Sequence, residues 1–288
     1  SAVLIEAFNP VDAVATYAKN GVTMAGGSTA FYQMFLAEQR KQPETKVMPA
    51  LRALSGGGAP MPPEIYREVL DEMEIKVCHG YGMTEIPMIT QGSPTDSDDQ
   101  LAHTTGKPVT GADVRIVLED GSLASAGVDG EVRVKGPMVA KGYTNAELTE
   151  QAFDENGYFR TGDIGHLRPD GHVVLTGRIK DIIIRKGENI SAKEIEDLLY
   201  AHPGVGDVAV IGLPDRERGE RVCAVVERPA EGEVITFEEM VSYLGEQGLT
   251  RFKTPEQLEV VDSLPRNETL RKVLKYQLRD SFADKAWP

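Results

Sequence analysis

No apolar run in this chain approaches the ~18–20 residues that a transmembrane helix needs; each is cut short by a charge or by Gly, Pro, Asn or Asp. A chain so punctuated has to build its core from many short elements, and the apolar spacing within them changes twice along its length. Over residues 1–95, helical and strand patterns alternate. "NPVDAVATYAKNG" predicts a capped helix closed by Gly21, followed by the strand "VTMA". "STAFYQMFLAEQRK" sets Phe31, Met34 and Phe35 at helical spacing, with Ser28 or Thr29 as the cap. "ALRALSGGGAP" reads as a strand running into a glycine turn, "PPEIYREVLDEM" as a helix opened by prolines, and "IKVCHGYG" as the next strand.

From about 100 to 176 the segments "ADVRIVLED", "GEVRVKG", "GYFRTGDIGHLRPDG" and "HVVLTG" alternate apolar and polar residues between turn residues, which predicts β-hairpins. "SPTDSDDQ" before them reads as a mobile, solvated acidic loop. After Gly177 the texture changes again. "SAKEIEDLLYAHPG" carries a capping box, Ser191 with Glu194, and "TFEEMVSYLGEQG" repeats it with Thr236 and Glu239, striping Phe237, Met240, Val241 and Leu244. "DVAVIGLPD", "RVCAVVERP" and "EQLEVVDSLP" read as strands and "KVLKYQLRDSF" as a closing helix. The expected fold class is α/β plus α+β. An incomplete α/β layer spans 1–99, a small β-rich subdomain 100–176, a connector 177–182, and a compact α+β domain 183–288.

Composition narrows the function. Forty-five acidic residues stand against 31 basic, a formal net charge of −14, which argues against general nucleic-acid or membrane-surface binding. The two cysteines, Cys78 and Cys223, provide no disulfide framework and no zinc spacing, and fit a reducing cytoplasm. "SAVLIEAFNPVDAVA" lacks the basic start and apolar block of a signal peptide. The expectation is a soluble cytoplasmic protein.

Five stretches carry chemistry. In "VCHGYGMTE", residues 77–85, Gly80 and Gly82 would allow a tight bend and a close approach. Tyr81 offers a flat face, Thr84 a hydroxyl and Glu85 an anionic oxygen ligand, an inventory that suits a nucleotide with magnesium. "SGGGAP" (Ser55, Gly56, Gly57, Gly58, Ala59, Pro60) is a place where backbone can lie against a flat ligand, and is equally well a simple tight loop. "GEVRVKGPMVAKGY" signals β structure. "YFRTGD" sets Asp163 behind a glycine, suited to a ribose diol or to a plain turn. "GRIKDIIIRKGENIS" combines Arg178, Asp181, an apolar triplet and a basic glycine turn.

In this order and spacing the five stretches resemble the adenylate-forming superfamily: acyl-CoA synthetases, peptide-synthetase adenylation domains and luciferases. The resemblance covers nearly the whole chain. It implies activation of a carboxylic acid by ATP and Mg²⁺ to an acyl-adenylate, then transfer to a thiol. On this sequence it implies Tyr81 stacked on adenine against the 55–60 turn, with Gly82 and Met83 beside it. Thr84 would touch the α-phosphate, Glu85 would bind Mg²⁺, and Asp163 with Arg178 would hold the ribose. Asp181 would be the hinge of the carboxy-terminal domain. "HGYGMTE" and "GRIKDIIIRKGENISAKEIEDLL" are most like the fatty-acid type of acyl-CoA ligase. His79 would then face the acyl group or be a hydrogen-bonded turn histidine, and the loop Arg185, Lys186, Gly187, Glu188 would approach CoA.

Two departures accompany the resemblance. The family's proline–loop–glycine–lysine ending reads here "LPRNETLRKVLKYQLR", which puts the essential lysine at Lys272, preceded by Arg271 and a loop one residue longer. Otherwise Lys272 is a solvated lysine opening an amphipathic helix, and Lys275 is its rival, read as a surface residue. The family's Ser/Thr/Gly-rich phosphate loop ending Pro-Lys-Gly is nowhere in these 288 residues. The expectation is therefore the carboxy-terminal part of a longer CoA ligase, inactive alone. The alternative is a catalytically lapsed family member that binds a nucleotide or acyl ligand as a regulator.

Overall fold

Asn9 starts the first helix: its Oδ1 accepts the N–H groups of Val11 and Asp12 at 3.0 and 3.2 Å, and Pro10 follows with its fixed φ. The computed structural model describes residues 1–267 and 272–283. Helix α1 (Pro10–Lys19) leads to β1 (Met24–Gly27), α2 (Thr29–Arg40), β2 (Ala53–Gly57), α3 (Pro63–Met73), β3 (Lys76–Met83), β4 (Ile86–Gln91), α4 (Asp98–His103) and β5 (Lys107–Pro108). These strands form one sheet in the order β1-β2-β3-β4-β5. Pairing is parallel from β1 to β3 and antiparallel from β3 to β5. Ile65, Tyr66 and Val69 of α3 and Tyr32, Phe35 and Leu36 of α2 are buried, as are Leu54 and Val77 of the sheet. The helical and strand periods thus point into one core.

Three local expectations change. Strand β1 is "MAGG", two residues later than "VTMA". Ser55, Gly56 and Gly57 lie inside β2 rather than in a turn, and only Gly58, with φ +89°, turns the chain. Gly80 and Gly82 are extended residues of β3, and the bend falls at Thr84–Glu85, the two-residue link between Met83 and Ile86. The reason is lateral crowding. A Cβ on Gly56 would lie 1.8 Å from the Gly27 carbonyl oxygen, and one on Gly57 would lie 2.3 Å from that of Gly80. Neighbouring backbones come too close for any side chain.

The next sheet runs β6 (Asp113–Val117), β7 (Gly130–Lys135), β8 (Phe159–Leu167) and β9 (Val173–Arg178), in that order. Helix α5 (Ala146–Ala152), capped by Asn145, interrupts the hairpin pattern. Ile116, Val132, Val134 and Phe159 share a buried cluster with Tyr81, Ile86 and Ile89. The acidic stretch before this sheet is ordered. Ser97 and Gln100 form a reciprocal capping box on α4, Tyr66 donates to Asp98 at 2.7 Å and Arg168 to Asp99 at 2.9 Å. Its carboxylates have partners: residues 93–97 form a hydrogen-bonded turn that leads into α4 at Asp98.

The chain divides into two compact units, residues 1–161 with 165–175, and residues 162–164 with 176–288. In the second, a 3₁₀ turn at Ile179–Asp181 precedes β10 (Ile182–Arg185), β11 (Glu188–Ser191), α6 (Ala192–Tyr200), β12 (Asp207–Asp215), β13 (Gly219–Glu227), α7 (Phe237–Glu246), β14 (Gln257–Val261) and α8 (Lys275–Phe282). The sheet order is β11-β10-β13-β12, with β14 parallel to β13. Strands β12 and β13 are buried on both faces, which is why they read as continuous apolar runs. Val208, Val210, Val222 and Ala224 meet α6 and α7 through Ile195, Leu199, Met240 and Leu244. Ala209, Ile211, Cys223 and Val225 meet Leu264 and Leu278.

Four expectations change in this unit. Phe237 and Val241 stay 37% and 38% exposed, so only half of the α7 stripe is core. The Thr236–Glu239 capping box is reciprocal, but at Ser191 only the serine half forms, because the Glu194 carboxylate turns to Lys253 at 2.6 Å. Lys272 precedes α8 rather than opening it. Lys275 is no surface lysine: it is largely buried and pairs at 2.6 Å with Glu196, which also accepts the Val210 N–H at 2.7 Å. Arg271 and the lengthened loop fall on residues 268–271, outside the described residues.

Two outcomes follow. Gly56→Ala should fail to accumulate as folded protein, whereas Gly58→Ala, with open space around it, should cost only about 1–2 kcal/mol for its left-handed φ, read by urea unfolding. Burial pushes the Glu196 carboxyl up, against the pull of Lys275. Lys275→Met should therefore cost roughly 3–5 kcal/mol at pH 7 by stranding a buried carboxylate. The sign is that of an acid with a raised folded pKa. The loss is full above that pKa, shrinks as pH falls through it, and vanishes near the unfolded value of about 4.

Candidate functional site

In the first unit the parallel pairing of β1, β2 and β3 closes in glycines: Gly27 is in register with Gly56, Gly56 with His79, and Gly57 with Gly80. Open α/β sheets bind ligands beyond such carboxyl ends. The turn from Gly58 to Pro60 is held against the sheet by two bonds. His79 Nε2–H donates to the Ala59 carbonyl at 2.9 Å, and Thr29 Oγ1–H donates to the Pro60 carbonyl at 2.7 Å. His79 is 5% exposed, so its ring works inside the strand layer as a clamp on that turn. Ser55 Oγ accepts from the Gln91 amide at 3.4 Å, which also donates to the Cys78 carbonyl at 2.6 Å.

Tyr81 is 8% exposed and belongs to the cluster with Ile86 and Ile89, while Met83 packs beside it. A Cβ on Gly82 would sit 2.4 Å from the Pro87 carbonyl oxygen, which keeps the β3–β4 hairpin tight. That hairpin holds Thr84 and Glu85 at its tip, with Thr84 exposed. Glu85 is aimed by the "GPMVAKGY" segment: its carbonyl accepts the Ala140 N–H at 2.8 Å, and its Oε1 accepts the Tyr143 hydroxyl at 2.7 Å. The carboxylate bond holds the Tyr143 phenol above the usual tyrosine range. Sequence reasoning quoted Tyr143 within its motif and gave it no role.

In the second unit Asp163, 4% exposed, accepts from Arg178 Nε at 2.9 Å. The charges of the same groups act on Lys272. Burial first, then the Arg178 and Lys180 charges, push its amine below the ordinary lysine range, while Asp163 pulls the other way. Asp181 accepts from Arg279 Nη2 at 3.1 Å. The turn after β10 is Lys186–Gly187, both with positive φ, 51° and 84°. Glu188 follows it and sits opposite Arg185 in the ladder. The Arg185 guanidinium is engaged by Glu256 at 2.9 and 2.5 Å, and Arg218 Nε shares the same carboxylate oxygen at 3.1 Å. Lys186 instead donates its N–H to the Arg218 carbonyl at 2.8 Å, which brings "DRERGE" beside "RKGE". The sequence reading gave Arg216 and Arg218 no role: in residues 215–220 they stand among Asp215, Glu217 and Glu220 and raise no local excess of positive charge.

Among the described residues no group of three or more His, Cys, Asp or Glu could hold a metal unaided. Glu85 supplies one hard oxygen at an open hairpin tip, which fits an ion whose other ligands are phosphate oxygens and water. No helix among the described residues is long and apolar enough to cross a membrane.

This site and fold have known counterparts. A sequence model described as "AMP-binding enzyme" matches residues 1–144, and one described as "AMP-binding enzyme C-terminal domain" matches residues 194–270. The chain belongs to the AMP-binding enzyme family. It is 34% identical over 278 residues to the medium-chain fatty-acid–CoA ligase of Escherichia coli (strain K12), covering 96% of this chain and 48% of that protein. It is 35% identical over 259 residues to a salicyl-AMP ligase / salicyl-S-ArCP synthetase of Mycobacterium tuberculosis, covering 89% and 45%. The crystal structure of ATP-bound MatB from Rhodopseudomonas palustris superposes with a TM-score of 0.89 at 34% identity, over 98% of this chain and 55% of that one. The chain spans about half the length of the curated relatives it matches.

The Glu85–Tyr143 bond is directly testable. Glu85→Ala should return the Tyr143 phenol toward about 10, followed by NMR of ring-labelled tyrosine, with a stability loss of about 0.5–1.5 kcal/mol. An unmoved titration would mean that the pair does not form.

Proposed function

We propose that this chain acts as part of a longer AMP-forming acid–thiol ligase that makes acyl-CoA, with a fatty acid as the acid. The observation that carries this is Lys272, a half-buried amine set among Asp163, Arg178 and Lys180 in a member of the AMP-binding enzyme family. In the first half-reaction a carboxylate oxygen attacks the α-phosphorus of ATP, the bond to pyrophosphate breaks, and an acyl-adenylate forms. In the second, the CoA thiol attacks the acyl carbonyl and AMP leaves. The first step brings anions together, so cations and donors have to meet the charge that grows in its transition state.

Lys272 is proposed to contact the acyl carboxylate and phosphate oxygens. Its partial desolvation supports this, because a charge removed from water acts more strongly on a nearby anion. Asp163 is proposed to accept the ribose hydroxyls, with Arg178 holding that carboxylate in place. In the other unit, Tyr81 and the Gly58–Pro60 turn are proposed to flank adenine, and Thr84 to donate to the α-phosphate. Glu85, with magnesium, would neutralise phosphate charge. Lys186, with Arg216 and Arg218 near its turn, is proposed for the phosphates of CoA. His79 is proposed as the clamp on the adenine turn rather than an acyl-facing group, and Asp181 as the hinge. The fatty-acid assignment is supported by the names of relatives at 34–38% identity.

The test is ATP–pyrophosphate exchange with magnesium and a pool of fatty and aromatic acids. The complete enzyme should exchange with fatty acids, and this chain alone should be silent, since it contains no Ser/Thr/Gly-rich loop ending Pro-Lys-Gly. Lys272→Ala in the complete enzyme should lower exchange by roughly 10²–10³-fold while thioester formation from supplied acyl-adenylate continues. Nucleotide binding without exchange in the complete protein would instead favour a regulatory binder. Exchange by this chain at the rate of the complete enzyme would overturn its role as a part.

A further inference from the structure

The chain leaves the described residues after Asn267 and returns at Lys272, and the two ends meet as a short antiparallel pair. Arg266 bridges Val273, Leu274 donates its N–H to the Pro265 carbonyl at 2.8 Å, and Asn267 donates its N–H to the Lys272 carbonyl at 2.9 Å. In a continuing ladder the Lys272 N–H would find the backbone carbonyl opposite. It meets the side-chain Oδ1 of Asn267 instead, at 3.0 Å. One residue therefore binds both backbone polar groups of Lys272. The flanks are anchored independently. Arg266 pairs with Asp207, Lys275 pairs with Glu196 at 2.6 Å, and Leu264 and Leu278 are buried.

We infer that Asn267 is a positioning residue for Lys272: its carboxamide stands in for a ladder carbonyl and fixes the direction in which the lysine side chain enters the group of Asp163 and Arg178. This rests on the reading of Lys272 given above. Short amide side chains are suited to the task because they reach nearby backbone N–H groups. An apolar residue of the same size leaves that N–H without its acceptor and frees the backbone torsions on which a four-carbon stem depends. The flanking ion pairs would keep the fold while the amine loses its aim. Displacements of about 1 Å near reacting groups cost about 10²-fold in rate.

The experiment compares Asn267→Leu, which removes the acceptor, with Asn267→Asp, which keeps an oxygen in the same place, in the complete enzyme, with Lys272→Ala as reference. Asn267→Leu should lower the kcat of ATP–pyrophosphate exchange about 30–100-fold with little change in KM. Asn267→Asp should stay within about 5-fold of the parent. Thermal midpoints and thioester formation from supplied acyl-adenylate should be alike in all three proteins. Competitive labelling with acetic anhydride, read at the Lys272 peptide across pH, supplies a second readout. The Lys272 midpoint should move up toward that of ordinary lysines in Asn267→Leu and should not do so in the parent. The inference is overturned if Asn267→Leu keeps full exchange while Lys272→Ala abolishes it, or if Leu and Asp cost the same. If Lys272→Ala itself leaves exchange intact, the catalytic reading of Lys272 is what fails. The positioning claim is then judged by labelling, where an unchanged midpoint in Asn267→Leu sinks it.

Discussion

The lateral approach of backbone to backbone at the carboxyl ends of β1, β2 and β3 is the constraint on which the first unit depends. Gly56 and Gly57 have neighbouring carbonyl oxygens where a side chain would be, at 1.8 and 2.3 Å from an ideal Cβ. Glycine's usual use is a positive φ, but here the backbone is extended and the missing atom is what matters. The crowding leaves a surface built of peptide groups. The His79 and Thr29 bonds to Ala59 and Pro60 hold the one true turn against that surface. The hairpin that follows inherits the same economy. Gly82 lets it close tightly, and Thr84 and Glu85 are carried to its tip, where Tyr143 orients the carboxylate.

The second unit rests on a different device. Its central strands β12 and β13 are covered on both faces, so burial has to be matched by charges that find partners inside. Glu196 with Lys275 and Asp207 with Arg266 do this, and both carboxyls are pushed up by burial and pulled down by their cations. Removing either partner would cost more than the pair itself contributes. The placement of these two pairs has a functional side. They anchor the chain on either side of Lys272, so the amine is held by a frame that does not need the amine's own charge. Arg279 does the same for Asp181. At the cationic turn one carboxylate serves two cations, since Glu256 pairs with both Arg185 and Arg218.

Much of the architecture was legible along the chain because the signals were local. Asn9 and Thr236 cap helices by bonds within three residues, and the double-sided burial of "VAVI" and "VCAVV" follows from their lack of alternation. The misreadings share a cause. Glycines in "SGGGAP" and "HGYG" were taken as turns because local sequence does not show which neighbouring strand crowds them. The acidic run at 93–100 was taken as a loose loop because Tyr66 and Arg168, which pair with it, are distant in sequence. Lys275 was taken as a surface residue because Glu196, its partner, is 79 positions away.

The residue types for the chemistry, their order, the family to which they belong and the three textures of the fold were determined by the sequence alone, since each depends on near neighbours or on a linear pattern. Which of those residues are engaged was decided by tertiary structure. Burial and the neighbouring Arg178 and Lys180 charges depress the Lys272 amine, Glu256 occupies Arg185, Tyr143 orients Glu85, and Asn267 holds the backbone of Lys272. Electrostatic environment and hydrogen-bond partnership depend on distances between residues far apart in the chain, and those distances exist only once the sheets have formed.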